Sequence, residues 1–462
     1  MTIAAPMMAA GSHGRPGFGG GIGGCIGGGI GGCIGGCIGG GQCRLGSMLC
    51  DGKPQRRGGG GRELCRMRGL CRLLGPFACT GRTFGALEAR AVAVGQDEKA
   101  NRQGGLAMSD AVLVTGAFGL VGTATVRHLA RTGRRVVATD LDTPANRKAA
   151  GSLPAGASTR WADLTDRVQP ASLLVTVQPA VVIHLAAVIP PLCYAKPALA
   201  RRVNVDATTY LVNAAAAQPV PPRFIQASSI AVYGPRNPHR ITGVLTAGTA
   251  VRPYDVYGGH KAEAEAVIRE SSLDWVILRL GGVLTVDLDL GLDPYMIYFE
   301  ALLPTDGRLQ TVDVRDVAHA FAAASTADVV GQTLLIGGDD SHRLRQGEVA
   351  RKTAAALGLV DGLPPGRPGD PDDDAGWFAT DWMDTATAQE VLGHQHHSWP
   401  QLLAETATKA GWKRYPLRLV APLARQYLKR RSPYYGLPGR FADPWEAIRR
   451  KWGAPQVDRR TS

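Results

Sequence analysis

From residue 111 onward, short unbroken apolar runs alternate with apolar stripes at helical spacing. Residues 111–115, AVLVT, have the shape of a strand buried on both faces. After a glycine-containing turn, Val121, Ala124, Val126 and Leu129 fall on one side of a helix. A second run, residues 135–139, ends at Asp140, and further strand runs end at residues 162, 184 and 229. Strands alternating with helices predict an α/β fold: a Rossmann-type doubly wound parallel sheet with a small C-terminal substrate-binding part.

Ahead of residue 108 this pattern is absent. Residues 19–38 read GGGI-GGCI-GGGI-GGCI-GGCI, with Ile22, Ile26, Ile30, Ile34 and Ile38 in register. Each Gly costs about 1 kcal/mol in a helix relative to Ala, and five isoleucines cannot offset a run of this kind. A disordered low-complexity extension is the expectation for 1–107. A bilayer span over 17–41 is disfavoured by low hydrophobicity. Zinc binding by Cys25, Cys33, Cys37 and Cys43 is disfavoured because no CxxC pair occurs. Nor does the start have the basic region and apolar core of a signal peptide. Met108-Ser109-Asp110 stands directly before the first strand, so the enzyme body is expected to fold without what precedes it. The chain then divides into the extension 1–107, a nucleotide-binding catalytic domain 108–340, a substrate-binding part 341–411 and a basic tail 412–462.

Composition sharpens that division. Residues 1–107 hold 31 of the 60 glycines and eight of the nine cysteines, leaving Cys193 alone in the body. A body with one cysteine has no disulfide framework, and a cytoplasmic location is expected. The net charge of +13 belongs to the ends: +8 in 1–107 and +10 in 412–462, against −5 for 108–411. The basic pI is therefore no sign of nucleic-acid binding by the body.

The turn after the first strand is Thr115-Gly116-Ala117-Phe118-Gly119-Leu120-Val121-Gly122. Gly116 suits a tight turn, Gly119 lets backbone approach a pyrophosphate, and Gly122 allows close packing of helix on strand. The positive end of the helix dipole then faces the phosphates. Asp140 closes the second strand, 18 residues past Gly122, near the spacing of an acid that accepts both hydroxyls of the adenosine ribose. A carboxylate there repels a 2′-phosphate, so NAD is expected rather than NADP.

Tyr257 and Lys261 are four residues apart and share one helix face. A free tyrosine, with a pKa of about 10, is a poor base near neutrality. A lysine one turn away, with the positive nicotinamide ring, is expected to favour the phenolate. Tyr257 can then exchange a proton with a substrate oxygen, and Ser229 at a strand end can hold that oxygen. Tyr254 lacks a lysine partner, and Ser228 points to the other side of the strand.

Taken in order, these segments resemble the extended short-chain dehydrogenase/reductase family, in its NAD-dependent epimerase/dehydratase branch. The resemblance runs over residues 110–340. Asp163-Leu164 looks like its adenine-contacting pair, and His184-Leu185-Ala186-Ala187 like its HxAA element lining the cofactor. Asn204-Val205, residues 224–234 (FIQASSIAVYG), Tyr257-Gly-Gly-His-Lys261, Leu278-Arg279 and residues 312–317 (VDVRDV) follow in sequence. The resemblance implies that Ser229, Tyr257 and Lys261 are catalytic and that Lys261 also binds the nicotinamide ribose.

The departures matter as well. Ile230-Ala231 stand where the family's 4,6-dehydratases carry Asp-Glu, which argues against water elimination. Leu284 and Asp313 are only 29 positions apart, a short substrate segment that weakens the case for a nucleotide sugar.

An NAD-dependent oxidoreductase or epimerase acting on a hydroxyl or carbonyl group of a small molecule is thus expected, with a non-catalytic dinucleotide sensor or scaffold as the alternative. A homodimer stays open. His394, His396 and His397 are read as an exposed post-helix loop, and no metal is expected. Cys193 is read as a packed thiol, with the substrate cleft as the alternative. In the tail, Leu417, Val420, Ala424, Tyr427 and Leu428 lie near a helical stripe among Arg418, Arg425, Lys429, Arg430 and Arg431. A helix packed on the body is preferred, and a weak contact with a membrane surface is the alternative.

Overall fold

The apolar runs become strands β1 (Val112–Thr115), β2 (Val136–Asp140), β3 (Ala157–Trp161), β4 (Val181–His184), β5 (Arg223–Ser229), β6 (Trp275–Leu280), β7 (Gly282–Leu284), β8 (Arg308–Asp313), β9 (Gln332–Ile336) and β10 (Arg343–Arg345). They come from a computed structural model that describes residues 110–287 and 293–454. The expectations for residues 1–107 lie outside the described residues. Seven strands form one parallel sheet in the order β3-β2-β1-β4-β5-β6-β9. Both faces of this sheet are covered, which is why its strands read as unbroken apolar runs.

Successive residues on a strand face opposite sides, and the core divides accordingly. Val112, Val114, Val136, Ala138, Val181 and Ile183 contribute to one buried cluster. There they meet Val126 and Leu129 of α1 (Leu120–Arg131). Leu113, Val137, Val182, Phe224 and Ile277 contribute to the other. That side is covered by α2 (Gln169–Val177), α3 (Ala207–Ala216) and Ile268 of α4 (Val256–Arg269). The chain returns to the first face with α5 (Val314–Ala324), whose Val317 and Phe321 join the first cluster. Strand order reverses between β1 and β4, which opens a crevice at their carboxyl ends.

A smaller sheet, β10-β8-β7, packs Leu284, Leu309 and Leu344 against Val349, Trp399 and Leu402. Further on, α6 (Arg414–Arg431) is followed by α7 (Pro444–Trp452). No helix among the described residues is long and apolar enough to cross a membrane.

The chain after Ser432 joins a core built elsewhere: Tyr434, Ala442, Trp445, Ala447 and Ile448 pack with Tyr194, Phe299, Leu302 and Phe378. Trp445 stacks on Phe378 at 5.2 Å, and its Nε1 donates to the carbonyls of Ala375 (2.8 Å) and Trp377 (3.1 Å). Arg367 fixes the approach to α7 by donating to the carbonyls of Tyr434, Leu437, Pro438 and Phe441. A few large side chains spaced too widely to make a stripe are enough, because the cluster they complete is built elsewhere in the chain.

The histidine segment is an exposed loop only in part: His396 is exposed and His397 half-buried. His394 is fully buried, with Nε2 3.1 Å from the carbonyl of Gly337. Buried Asp316 of α5 accepts from the backbone N–H groups of His396 (3.1 Å) and His397 (3.0 Å) and bonds His397 Nδ1 at 2.5 Å. A buried carboxylate requires such partners, and the loop is held to α5 by supplying them.

Candidate active site

The glycine turn lies at the crevice between β1 and β4. Gly116 has φ +62°, and a Cβ there would stand 2.7 Å from the backbone nitrogen of Ala186. The turn therefore closes against the segment after β4 only with glycine. Thr115 completes that junction, its Oγ1 accepting from the N–H groups of Leu185 (3.2 Å) and Ala186 (3.3 Å). Gly119 caps α1, and no side chain bonds the N-terminal turn of this helix. Its first N–H groups have no intrahelical acceptors, so they are available to an anion. Phe118, Gly119, Leu120 and Val121 are half-buried around this end, while Gly122 is buried beneath it.

Asp140 ends β2 beside the same turn. Its Oδ2 accepts from the N–H of Phe118 at 3.2 Å and its Oδ1 from that of Leu141 at 2.8 Å. Burial raises its pKa, and these backbone donors work against the rise. Leu185, Ala186 and Ala187 are half-buried at the end of β4. Asp163 ties its own turn, accepting from Thr165 N and Thr165 Oγ1, and Leu164 is buried in the second core cluster. His184 is structural. It bridges Thr115 Oγ1 (2.6 Å) and Thr208 Oγ1 (3.0 Å), and burial pushes its pKa down to about 3, leaving a neutral ring. Asn204 clips the chain beyond β4 through its Oδ1 on Val188 N (2.7 Å) and its Nδ2 on Val188 O (2.9 Å).

Ser229, Tyr257 and Lys261 meet on the far side of the crevice. Ser229 ends β5, and its Oγ accepts from the N–H of Ala231 at 3.2 Å. Asp255 caps α4 by accepting from Gly258 N at 3.0 Å, which sets Tyr257 in the first turn of that helix. A Cβ on Gly258 would stand 2.4 Å from the carbonyl of Ala231, so only glycine allows α4 this close to the turn after Ser229. In this position the Tyr257 phenol neighbours Ser229, which acts to lower its pKa. Lys261 is buried, its Nζ donates to the carbonyl of Ala227 at 2.8 Å, and Nζ lies 6.0 Å from the centre of the Tyr257 ring.

Electrostatics here differ from the sequence expectation. Burial holds the Tyr257 phenol well above its ordinary value; the nearby Cys193 and Asp255 push it the same way, and Ser229 opposes them. Lys261 does not reverse this; burial brings its own pKa down to about 8, which still leaves it mostly charged near neutrality. Cys193 is a fully buried thiol in the aromatic cluster, with its pKa raised by burial and by Asp255. Asp255 also accepts from the hydroxyl of Tyr194 at 2.5 Å.

A second set of residues was not visible in the motifs. Glu265, one turn beyond Lys261, receives Arg279 at both oxygens (2.9 and 2.6 Å), with both side chains almost fully buried. Ser228 donates to Glu265 at 2.5 Å, and Arg279 reaches the Tyr233 hydroxyl at 2.6 Å. This network locks α4 to the ends of β5 and β6, and it accounts for Ser228 as a positioning residue. Burial would raise the pKa of Glu265, but Arg279, Ser228 and Arg269 together hold it below the usual value. Four-residue spacing from Lys261 and the position of Arg279 after Leu278 were the only signals available in the sequence.

A parallel sheet with a glycine turn at its switch point, an acid at the end of β2 and a Ser–Tyr–Lys cluster beyond β5 are the parts expected of an extended short-chain dehydrogenase/reductase. Residues 112–285 match the model of the NAD dependent epimerase/dehydratase family, so the chain carries an enzyme domain of that family. No curated protein matches the chain. Among solved structures, MoeE5 in complex with UDP-glucuronic acid and NAD is 27% identical, covers 66% of this chain and 99% of its own, and has a TM-score of 0.51. The UDP-glucose 4-epimerase of Thermus thermophilus, in complex with NAD, is 22% identical over 65% of this chain and 98% of its own, with a TM-score of 0.53. The UDP-glucuronic acid 4-epimerase of Bacillus cereus, with UDP-glucuronic acid and NAD, is 19% identical over 65% and 98%, with a TM-score of 0.52. The last two show likeness of fold.

Proposed function

We propose that this chain holds NAD and interconverts a secondary hydroxyl and a carbonyl of a small molecule, as an oxidoreductase or epimerase. The observation that carries this reading is the Tyr257 phenol set between Ser229 and a buried lysine fixed on Ala227. The residues present fit the cofactor. The uncapped N-terminus of α1 suits its phosphates, Asp140 its adenosine ribose, and Leu185, Ala186 and Ala187 its flank at the end of β4. NAD, when bound, supplies the acceptor and donor of hydride.

The chain's own residues hold the substrate oxygen and move its proton. Ser229 donates to that oxygen and keeps it against Tyr257. Burial keeps Tyr257 protonated, so in reduction it gives its proton to the developing alkoxide. In oxidation the phenolate takes the proton back, favoured by positive charge at Lys261 and on the oxidised cofactor. Lys261 would also hold the nicotinamide ribose, as the family resemblance implies. MoeE5, described with a UDP-sugar acid, makes a nucleotide sugar the first substrate class to try. A substrate with an apolar body is the second reading, favoured by the aromatic surround of Tyr257: Tyr254, Tyr298 and Trp452 belong to the same packed cluster.

The test is a screen of NADH fluorescence against sugar nucleotides, sterols and simple ketones. Turnover that survives in Tyr257→Phe would overturn the assignment. The same protein is expected to bind NAD more tightly than NADP, because Asp140 would face the 2′-phosphate. Asp140→Ala should narrow that preference by roughly tenfold, the loss of about one charge-assisted hydrogen bond. Wild-type protein that binds NADP at least as tightly as NAD would contradict the role of Asp140.

A further inference from the structure

Helix α6 is apolar on two sides. Its inner side, Leu417, Ala421, Ala424 and Leu428, is buried or half-buried, with Ala421 lying against the turn at Gly362. Its outer side is a continuous stripe of Tyr415, Leu419, Leu423 and Tyr427, extended by Trp412 in the preceding turn. These residues follow one another at three or four positions, so they share one face. Leu419 is 82% exposed, Trp412 74% and Leu423 72%. Large apolar side chains in a row at this exposure mark an interaction surface rather than ordinary surface scatter.

The charges around the stripe say what covers it. Lys413, Arg414, Arg418, Arg425, Lys429, Arg430 and Arg431 lie on the same helix or its first residue, and no acidic residue occurs between Glu405 and Asp443. Among the described residues, none of the seven has a carboxylate at salt-bridge distance. Arg418 and Arg431 lie instead over the rings of Tyr415 and Tyr427, at 6.0 and 4.7 Å. A second copy of the chain would bring the same cations against its own. A phosphate-rich apolar surface satisfies both features together: leucines enter the acyl boundary, Trp and Tyr sit at headgroup level, and Lys and Arg meet the anions.

We propose that the outer face of α6 docks this enzyme on anionic lipid bilayers, with the helix lying in the headgroup plane. The docked helix spans about 27 Å along the surface. The helix is too charged to cross the membrane, and its exposed stripe lies opposite Ala421, the residue that meets the turn at Gly362, so docking needs no unfolding. This goes beyond the catalytic reading and does not depend on it.

The test is flotation of the full chain with vesicles of phosphatidylcholine plus phosphatidylserine, compared with vesicles of phosphatidylcholine alone. Binding to the anionic vesicles is expected, falling as salt is raised. Leu419→Asp with Leu423→Asp should lower the bound fraction roughly tenfold or more. Arg418→Glu with Arg425→Glu should abolish the preference for anionic lipid. All four side chains are exposed, so melting temperature should not change in either variant. Equal flotation of the Leu419→Asp, Leu423→Asp protein would place lipid binding elsewhere, for example in the basic residues 1–107, and overturn the proposal. Absence of flotation would overturn it too. A dimer that the aspartates dissociate, without lipid binding, would show that a second copy covers the face.

Discussion

Tyr257→Phe is expected to lower turnover by about 10²–10⁴-fold while leaving NAD affinity nearly unchanged. In the proposed mechanism the phenol is the group that exchanges a proton with an oxygen held on Ser229. Phenylalanine keeps the ring and its packing against the aromatic cluster, and removes only the hydroxyl. The nucleotide turn and Asp140 are on other elements and are untouched. Fluorescence titration with NADH, next to steady-state kinetics on whichever substrate the screen finds, separates the two effects. A variant that loses binding as strongly as turnover would show that Tyr257 supports the cofactor rather than the chemistry. A variant with near-normal turnover would remove Tyr257 from the mechanism.

Glu265→Ala is expected to destabilise the fold by about 3–5 kcal/mol. The change strands Arg279, which is only 2% exposed, with no carboxylate partner. It also removes the acceptor of Ser228. Replacing Glu265 and Arg279 together by leucine should cost much less, since no buried charge is then left alone. Urea unfolding of the two single variants and the double one measures the coupling. Single-variant losses below about 1 kcal/mol would mean that the pair does not hold α4 in place. The pH dependence has a fixed sign. The folded-state pKa of Glu265 is depressed, so its contribution is present above the ordinary glutamate value and is lost as acid takes the pH down through the folded one. Glu265→Gln should therefore show a weaker loss of stability on acidification.

The parts of the fold legible in the sequence are those set by local order. Strands buried on both faces show as unbroken apolar runs, and the glycine turn, Asp140 and the Tyr257–Lys261 pair each sit within one strand–turn or helix unit. The family resemblance follows from the order of such units. What the sequence hid is tertiary. Glu265 and Arg279 belong to different elements, and nothing in either neighbourhood announces a buried ion pair. Asp316 and His397 are 81 positions apart, and their bond ties an expected surface loop to α5 and leaves only His396 of its histidines exposed. The tail stripe mixed two faces. Leu417, Ala424 and Leu428 turn inward, whereas Val420 and Tyr427 stay outside, because a helix apolar on two sides does not reveal which one packs. The effect of burial on Tyr257 was equally hidden, since the aromatic cluster that surrounds it draws on α7.

That cluster separates the two sides of the site in time. The Tyr254 ring rests 4.9 Å from Trp445, a residue made 191 positions later. At about 5–20 residues per second, a ribosome needs roughly 10–40 s to add that stretch. For nearly all of this interval the nucleotide turn and α4 are already synthesised, while the aromatic wall beside Tyr257 still lacks its last helix. Newly made chains therefore acquire the surface for the cofactor before the enclosure for the reacting molecule, and any nick or early stop before Pro444 leaves the former without the latter.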